Sequence, residues 1–168
     1  MAKPRKVNAT ASATATATSI TQDVKINIST SERLVQALNA LSLIATPSQQ
    51  TVLLEYLSQL LRWNKTYNLT AIRNPDQALV HHIFDSLSLV PSICSIVNVV
   101  TSDIPIIVDV GSGGGLPGVI LAIMLPNTRV VCIDAVEKKT TFVRQMAGVL
   151  ALTNLTAQHA RIETLEPM

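Results

Sequence analysis

Cysteine is scarce: the 168 residues contain two, Cys94 and Cys132. They form no CxxC pair and have no histidine nearby at metal-ligand spacing, so neither a disulfide framework nor a metal site is expected. Two unpaired thiols suit a reducing, cytoplasmic setting. Cys132 stands in an apolar run and reads as a buried core thiol. Charge is scarce too. Charged residues make up 14% against 48% apolar, which excludes global disorder and requires a packed core. With 13 basic and 11 acidic side chains the net charge is +2, too even to identify a nucleic-acid partner from bulk charge. No run approaches the ~18 consecutive apolar residues of a membrane helix. No apolar segment follows the basic start as it would in a secretory signal, and there is no internal repeat.

What remains suffices for one globular domain with an attached subdomain. Residues 1–30 stand apart: an Ala/Thr/Ser alternation over 9–19 follows Lys3, Arg5 and Lys6. They read as a disordered tail, the alternatives being an organelle transit peptide or a basic arm that touches RNA. Residues 31–100 carry helical spacing. Leu34, Leu38, Leu41 and Ile44 predict a helix from Ser31 that Pro47 ends. Thr46 or Ser48 can cap a second helix, whose stripe is Val52, Leu53, Leu57, Leu60 and Leu61 and which breaks at residues 64–70. Asn74 and Pro75 start a third, with Leu79, Ile83, Leu87 and Val90 on its apolar face and Pro91 as its stop. Residues 101–168 change period. A buried parallel strand over 104–110 is followed by a helix (119–125), a strand (130–133), a helix (137–150) with Phe142, Met146 and Leu150 inward, and a strand (155–159). That order predicts a doubly wound, Rossmann-like α/β core behind a small helical subdomain. Three strands are few for such a sheet, and the expectation is that the C-terminal part of the fold is missing.

Between the first strand and its helix stands Asp109-Val-Gly111-Ser-Gly113-Gly-Gly115-Leu-Pro-Gly118. Glycines there allow a tight turn and a close backbone approach by a ligand. Asp134, at the end of the second strand, can accept both hydroxyls of a ribose. The spacing serves two cofactor classes. Gly113-x-Gly115-x-x-Gly118 matches the dinucleotide fingerprint with its acidic residue about 20 positions on, and Asp109-x-Gly111-x-Gly113-x-Gly115 matches the first motif of S-adenosylmethionine enzymes. Pro117 removes an amide that a pyrophosphate would use. Asp109 suits the cationic methionine end of S-adenosylmethionine better than a phosphate. The loop therefore favours the methyl donor over a nicotinamide or flavin.

Several segments together resemble the bacterial glucose-inhibited-division-B family of rRNA (guanine-N7) methyltransferases. They are Arg62-Trp-Asn-Lys-Thr-Tyr-Asn-Leu-Thr70, His82-Ile-Phe-Asp-Ser86, the glycine loop, Asp134-Ala-Val-Glu-Lys-Lys139 with Phe142 and Arg144, and Arg161-Ile-Glu163. The resemblance implies a class I methyltransferase core, S-adenosylmethionine as the methyl donor, and 16S rRNA or the small ribosomal subunit as partner, with no metal and a monomer as the working state. It carries over Gly111, Gly113 and Leu116 as donor contacts, Asp134 for the ribose, and Ile162 and Glu163 on the adenine side. Gly114 stands where the family usually has Ala or Pro. The family's later Ser-Arg-Ala and Lys-Gly segments are absent from these residues, so a truncated, non-catalytic RNA-binding fragment is the alternative to an active enzyme.

No acid or base is expected to be catalytic, because guanine N7 has a lone pair and no proton; positioning and a polar pocket would suffice. Candidate RNA contacts are Asn68, His82, Asp85, Ser86 and Lys139. At helical spacing His82, Asp85 and Ser86 share a face, which serves solvation equally well. Asn68 and Thr70 could instead form an Asx-type turn, and Lys139 a solvated face. His81 and His159 read as structural or exposed, and His81 and His82 point to different faces.

Overall fold

The computed structural model describes residues 28–97 and 104–164. The readings for the Ala/Thr/Ser tail fall on 1–27, outside them. Helix α1 (Ile28–Ala40) starts ahead of the expected Ser31 and ends well before Pro47. Leu34 and Leu38 are buried, but Ile44 lies past the helix and is 95% exposed.

Pro47 begins α2 (Pro47–Tyr67) rather than ending α1. Thr46 is its N-cap in a full capping box: Gln49 N–H donates to Thr46 Oγ1 at 3.2 Å, and Thr46 N–H donates to Gln49 Oε1 at 2.9 Å. The Gln49 amide also donates to the Ile123 carbonyl at 2.8 Å, tying the start of α2 to the α/β layer. The helix does not break at residue 64. It runs on to Tyr67 with Asn64 buried, and ends where Asn68 turns left-handed (φ 50°).

Asn74 caps the next helix through a bond from Gln77 N–H at 3.1 Å. Segments α3 (Pro75–Ala78), a π turn (Leu79–Phe84), α4 (Asp85–Ser88) and α5 (Val90–Val97) join into one 23-residue helix. Pro91 does not stop it, because a proline at the first turn of α5 gives up an amide that had no partner there. By length and composition alone this helix could cross a membrane, though His81, His82 and Asp85 interrupt its apolar residues. Its apolar side is nevertheless used for packing: Leu79, Ile83 and Leu87 are wholly buried and Val90 nearly so. Each such side chain contributes roughly 1.5–3 kcal/mol.

Three parallel strands follow in the order β1 (Ile106–Val110), β2 (Arg129–Asp134), β3 (Leu155–His159). The register sets Asp109 beside Cys132 and Asp134 beside His159. Helix α6 (Gly118–Met124) joins β1 to β2, and α7 (Glu137–Val149) joins β2 to β3. Both touch α2, so they cover the same face of the sheet. Central β2 is buried. Strand β1, expected to be buried, is an edge with Ile106 and Val110 about half exposed. Phe142, Met146 and Leu150 point inward as the spacing predicted, and Cys132 is a fully buried thiol. One apolar cluster runs without a gap from Leu34 through Tyr56 and Ile83 to Phe142 and Leu155.

Candidate functional site

The site lies at the carboxyl tips of the strands, where open α/β sheets bind ligands. From Val110 the chain turns at once: the amides of Gly111 and Ser112 both donate to the Ile133 carbonyl, at 2.7 and 3.1 Å. This lays the loop across the tip of β2. Gly115 (φ 90°) allows no side chain, since a Cβ would meet Val119 and Val143. At Gly118 a Cβ would run into Cys132 Sγ and Asp109 Oδ2. That closeness seats α6 on the sheet, with Gly118 N–H donating to Asp109 Oδ2 at 2.8 Å. The cis Leu116–Pro117 peptide leads into α6.

Asp109 was expected near the methionine end of the donor. Its Oδ2 braces the loop from beneath, with the Cys132 thiol 3.9 Å away. Burial raises the Asp109 carboxyl above the usual carboxylate range, against the opposing pull of the Gly118 amide and the Cys132 thiol; the Asp134 charge adds a smaller upward push. Burial likewise pushes the Cys132 thiol up to about 12, so it stays protonated.

Asp134 is the best-held acidic group. Its Oδ2 accepts from Gly113 N–H at 2.9 Å and its Oδ1 from Val136 N–H at 2.8 Å. The Ala160 amide donates to the Asp134 carbonyl (3.2 Å), and His159 Nε2 meets the Ala135 carbonyl (3.1 Å). These bonds hold the tips of β2 and β3 together. Between them opens a crevice of about 250 Å³ lined by Val110, Gly111, Ile133, Asp134, Ala135, Ala160, Arg161, Ile162 and Glu163.

Four of the expected donor contacts thus come together: Gly111, Asp134, Ile162 and Glu163. Gly113 joins them through its bond to Asp134. Leu116 does not line the crevice; it packs against the apolar core behind the loop. The lining fits a nucleoside. A Cβ on Gly111 would meet nothing within 4 Å, so the backbone there is open to a ligand. Each Asp134 oxygen has spent one acceptor position and keeps another for a hydroxyl. Arg161, given no role in the sequence reading, is also on the wall.

The expected RNA contacts form a second, looser group. His82 Nε2 lies 2.9 Å from Thr70 Oγ1, and burial lowers its pKa. Asp85 is exposed, lies 3.8 Å from His81 Nδ1 and also acts electrostatically on His82, while Ser86 is buried. Asn68 Oδ1 accepts from Arg73 at 2.9 Å, so this position is partly a local turn contact. Lys139, half exposed on the first turn of α7, is not on the crevice wall.

Three supporting residues were missed. Tyr56, wholly buried, donates its hydroxyl to the Gly114 carbonyl at 2.7 Å and holds the loop from the helical layer. Buried Asn64 shapes the following turn: its amide donates to the Ile72 carbonyl (3.0 Å) and its Oδ1 accepts from Thr70 N–H (2.9 Å). Ser112, also buried, sets its hydroxyl beside the Cys132 thiol. Larger hollows lie elsewhere. One, of about 340 Å³, is at the opposite end of the sheet around Ile104, Arg129 and Asn154, a second, of about 430 Å³, lies by Cys94, Pro105 and Met124, and a third, of about 480 Å³, lies between α2 and α7. The first lacks a strand-tip carboxylate. Among the described residues no three His, Cys, Asp or Glu side chains cluster as a metal site.

A model of the family described as rRNA small subunit methyltransferase G matches residues 49–168. The chain is similar to the ribosomal RNA small subunit methyltransferase G of Bordetella petrii, 57% identical over 80% of this chain and 52% of the relative. The protein of the same name from Bordetella pertussis is 58% identical over 82% of this chain and 60% of its own length. That of Acidovorax sp. (strain JS42) is 46% identical over 83% and 64%. The chain therefore spans about half to two thirds of the length of these curated relatives. Among solved structures, coclaurine N-methyltransferase bound to N-methylheliamine and SAH aligns over 82% of this chain and 51% of its own, at a TM-score of 0.43 and 16% identity.

Proposed function

The chain belongs to the rRNA small subunit methyltransferase G family, and we propose that it moves a methyl group from S-adenosylmethionine to N7 of a guanine in small-subunit (16S) rRNA. The observation that carries this reading is Asp134, fixed by two backbone amides at the tip of β2 on a crevice also lined by the open Gly111. Family membership sets aside the nicotinamide-dependent alternative.

When bound, S-adenosylmethionine supplies a sulfonium methyl that a lone pair can attack directly. In this reading Asp134 accepts the ribose hydroxyls, and its amide partners keep the carboxylate from turning away. Gly111 leaves room for the sugar, while Ile162 and Glu163 flank the adenine. Asp109 acts from beneath, holding the loop and adding negative potential where a cation binds. N7 carries no proton, so no side chain has to remove one. The chain's work is to hold the two reactants in line and exclude water from the approach. Asn68, His82, Asp85, Ser86 and Lys139 are proposed to face the RNA, with the small ribosomal subunit or its RNA as partner and a cytoplasmic monomer as the working form.

Two assays test the proposal. Calorimetry with S-adenosylhomocysteine and with NAD should show saturable binding of the first and none of the second. Incubation with small-subunit RNA and labelled methyl donor should yield N7-methylguanine on digestion. Binding of NAD alone would reverse the cofactor assignment. Binding of S-adenosylhomocysteine with label at another base position would keep the donor and overturn the acceptor.

A further inference from the structure

The hollow between α2 and α7 lies apart from the crevice at the strand tips, and the methyl-donor reading gives it no use. Its volume is about 480 Å³. Trp63 leans on buried Phe142, with centroids 5.4 Å apart and planes at 58°. Tyr67, one turn on, lies 5.1 Å from Trp63 at 33° and is 44% exposed. Arg62 and the amides of Gln59 and Gln145 complete the wall, and Met146 lies behind.

A tilted pair of aromatic rings, braced by the core on one side and open to solvent on the other, is an unusual surface for a helix whose packing is already satisfied. Every nucleobase has a π face, and stacking on exposed aromatics is how proteins hold single-stranded nucleic acid. The charges set the polarity of the groove. Gln59 donates to Glu55 Oε1 at 2.8 Å, which places the acidic group at one end. Arg62, one turn further along α2, is on the wall beside Trp63, where a phosphate would be drawn.

We infer that the α2–α7 groove binds one unpaired base of the RNA substrate, stacked on Trp63 and Tyr67 with its phosphate toward Arg62. This rests on the reading that RNA is the substrate, and it gives the RNA a second hold away from the methyl donor. It also gives the exposed end of α2 a role distinct from that of Asn64, which serves the turn.

Trp63 is the chain's sole tryptophan, so its emission reports on this groove directly. The full chain is titrated with a short unstructured oligoribonucleotide while Trp63 emission is followed, and S-adenosylhomocysteine binding is measured in parallel by calorimetry. Saturable quenching is expected. Tyr67→Ala should weaken RNA binding about tenfold, within the range for one lost stacking partner. Arg62→Gln should lower the slope of log affinity against log salt by about 0.7, as for one phosphate contact on a single strand. Both variants should keep the wild-type circular dichroism and affinity for S-adenosylhomocysteine. RNA that binds without changing Trp63 emission, or wild-type RNA affinity and salt dependence in both variants, would overturn the inference. Equal quenching by inorganic polyphosphate would overturn the stacking assignment too. If S-adenosylhomocysteine binds and the oligoribonucleotide does not, the groove falls and the donor site stands. If neither binds, the proposed function falls with it.

Discussion

Asp109 shows how one side chain can serve the loop and still burden the fold. Its carboxyl is raised chiefly by burial, which outweighs the Gly118 amide and the Cys132 thiol; the nearby Asp134 charge adds to the rise. An acid with a raised folded pKa contributes stability below its ordinary value and loses it as pH rises through the raised one. At neutral pH the ionised form is therefore a cost. Asp109→Asn keeps an oxygen for Gly118 N–H and removes the charge, so the melting temperature at neutral pH should hold or rise by a few degrees. Affinity for a cationic methyl donor should fall about threefold to tenfold, equivalent to roughly 0.6–1.4 kcal/mol. Thermal unfolding and calorimetry with S-adenosylmethionine check both. A lower melting temperature would mean that the charge itself holds the loop. At this scale the sequence placed Asp134 at the end of the second strand, where it stands on the crevice wall. Leu116, carried over from the family resemblance, packs against the core, since a motif does not say which side of a turn faces inward. The sequence could not reveal Tyr56, whose partner Gly114 lies 58 residues away.

Among the elements, the strands and the helices beside the glycine loop were legible within a residue or two, since a period change and turn residues mark them. The helical layer was harder. Pro47 and Pro91 read as stops, yet both stand where a helix begins and a missing amide costs little. The π turn over Leu79–Phe84 leaves no mark in apolar spacing. His82, close to Thr70 Oγ1, titrates below the usual imidazole value, mainly through burial, with the His81 charge also lowering it and Asp85 opposing. A group whose folded pKa is depressed contributes stability above its ordinary value and loses it as pH falls through the folded one. Between about pH 7.5 and pH 5 the wild-type melting temperature should therefore drop more than that of His82→Gln. Parallel pH profiles of the two proteins would show that His82 is not strained by burial in the fold.

Across the whole molecule, the helices from α1 to α5 and the sheet share one apolar core, and two threads cross it to the glycine loop and to α6: Tyr56 to Gly114, and Gln49 to Ile123. The helical layer thus bears on the shape of the crevice at the strand tips. Family membership and the α/β class were readable from motifs spread along the chain. The exposed edge of β1 was not, because burial depends on what lies beside a strand and not on its own residues. The measurement that tests the central claim most directly is a two-dimensional nitrogen–proton spectrum recorded as S-adenosylhomocysteine is added to the full chain. The account predicts the largest shifts at the amides of Gly111, Gly113, Asp134, Ile162 and Glu163, with little change around Ile104, Arg129 and Asn154 at the opposite end of the sheet. Shifts centred on that opposite end, or none at the strand tips, would contradict it.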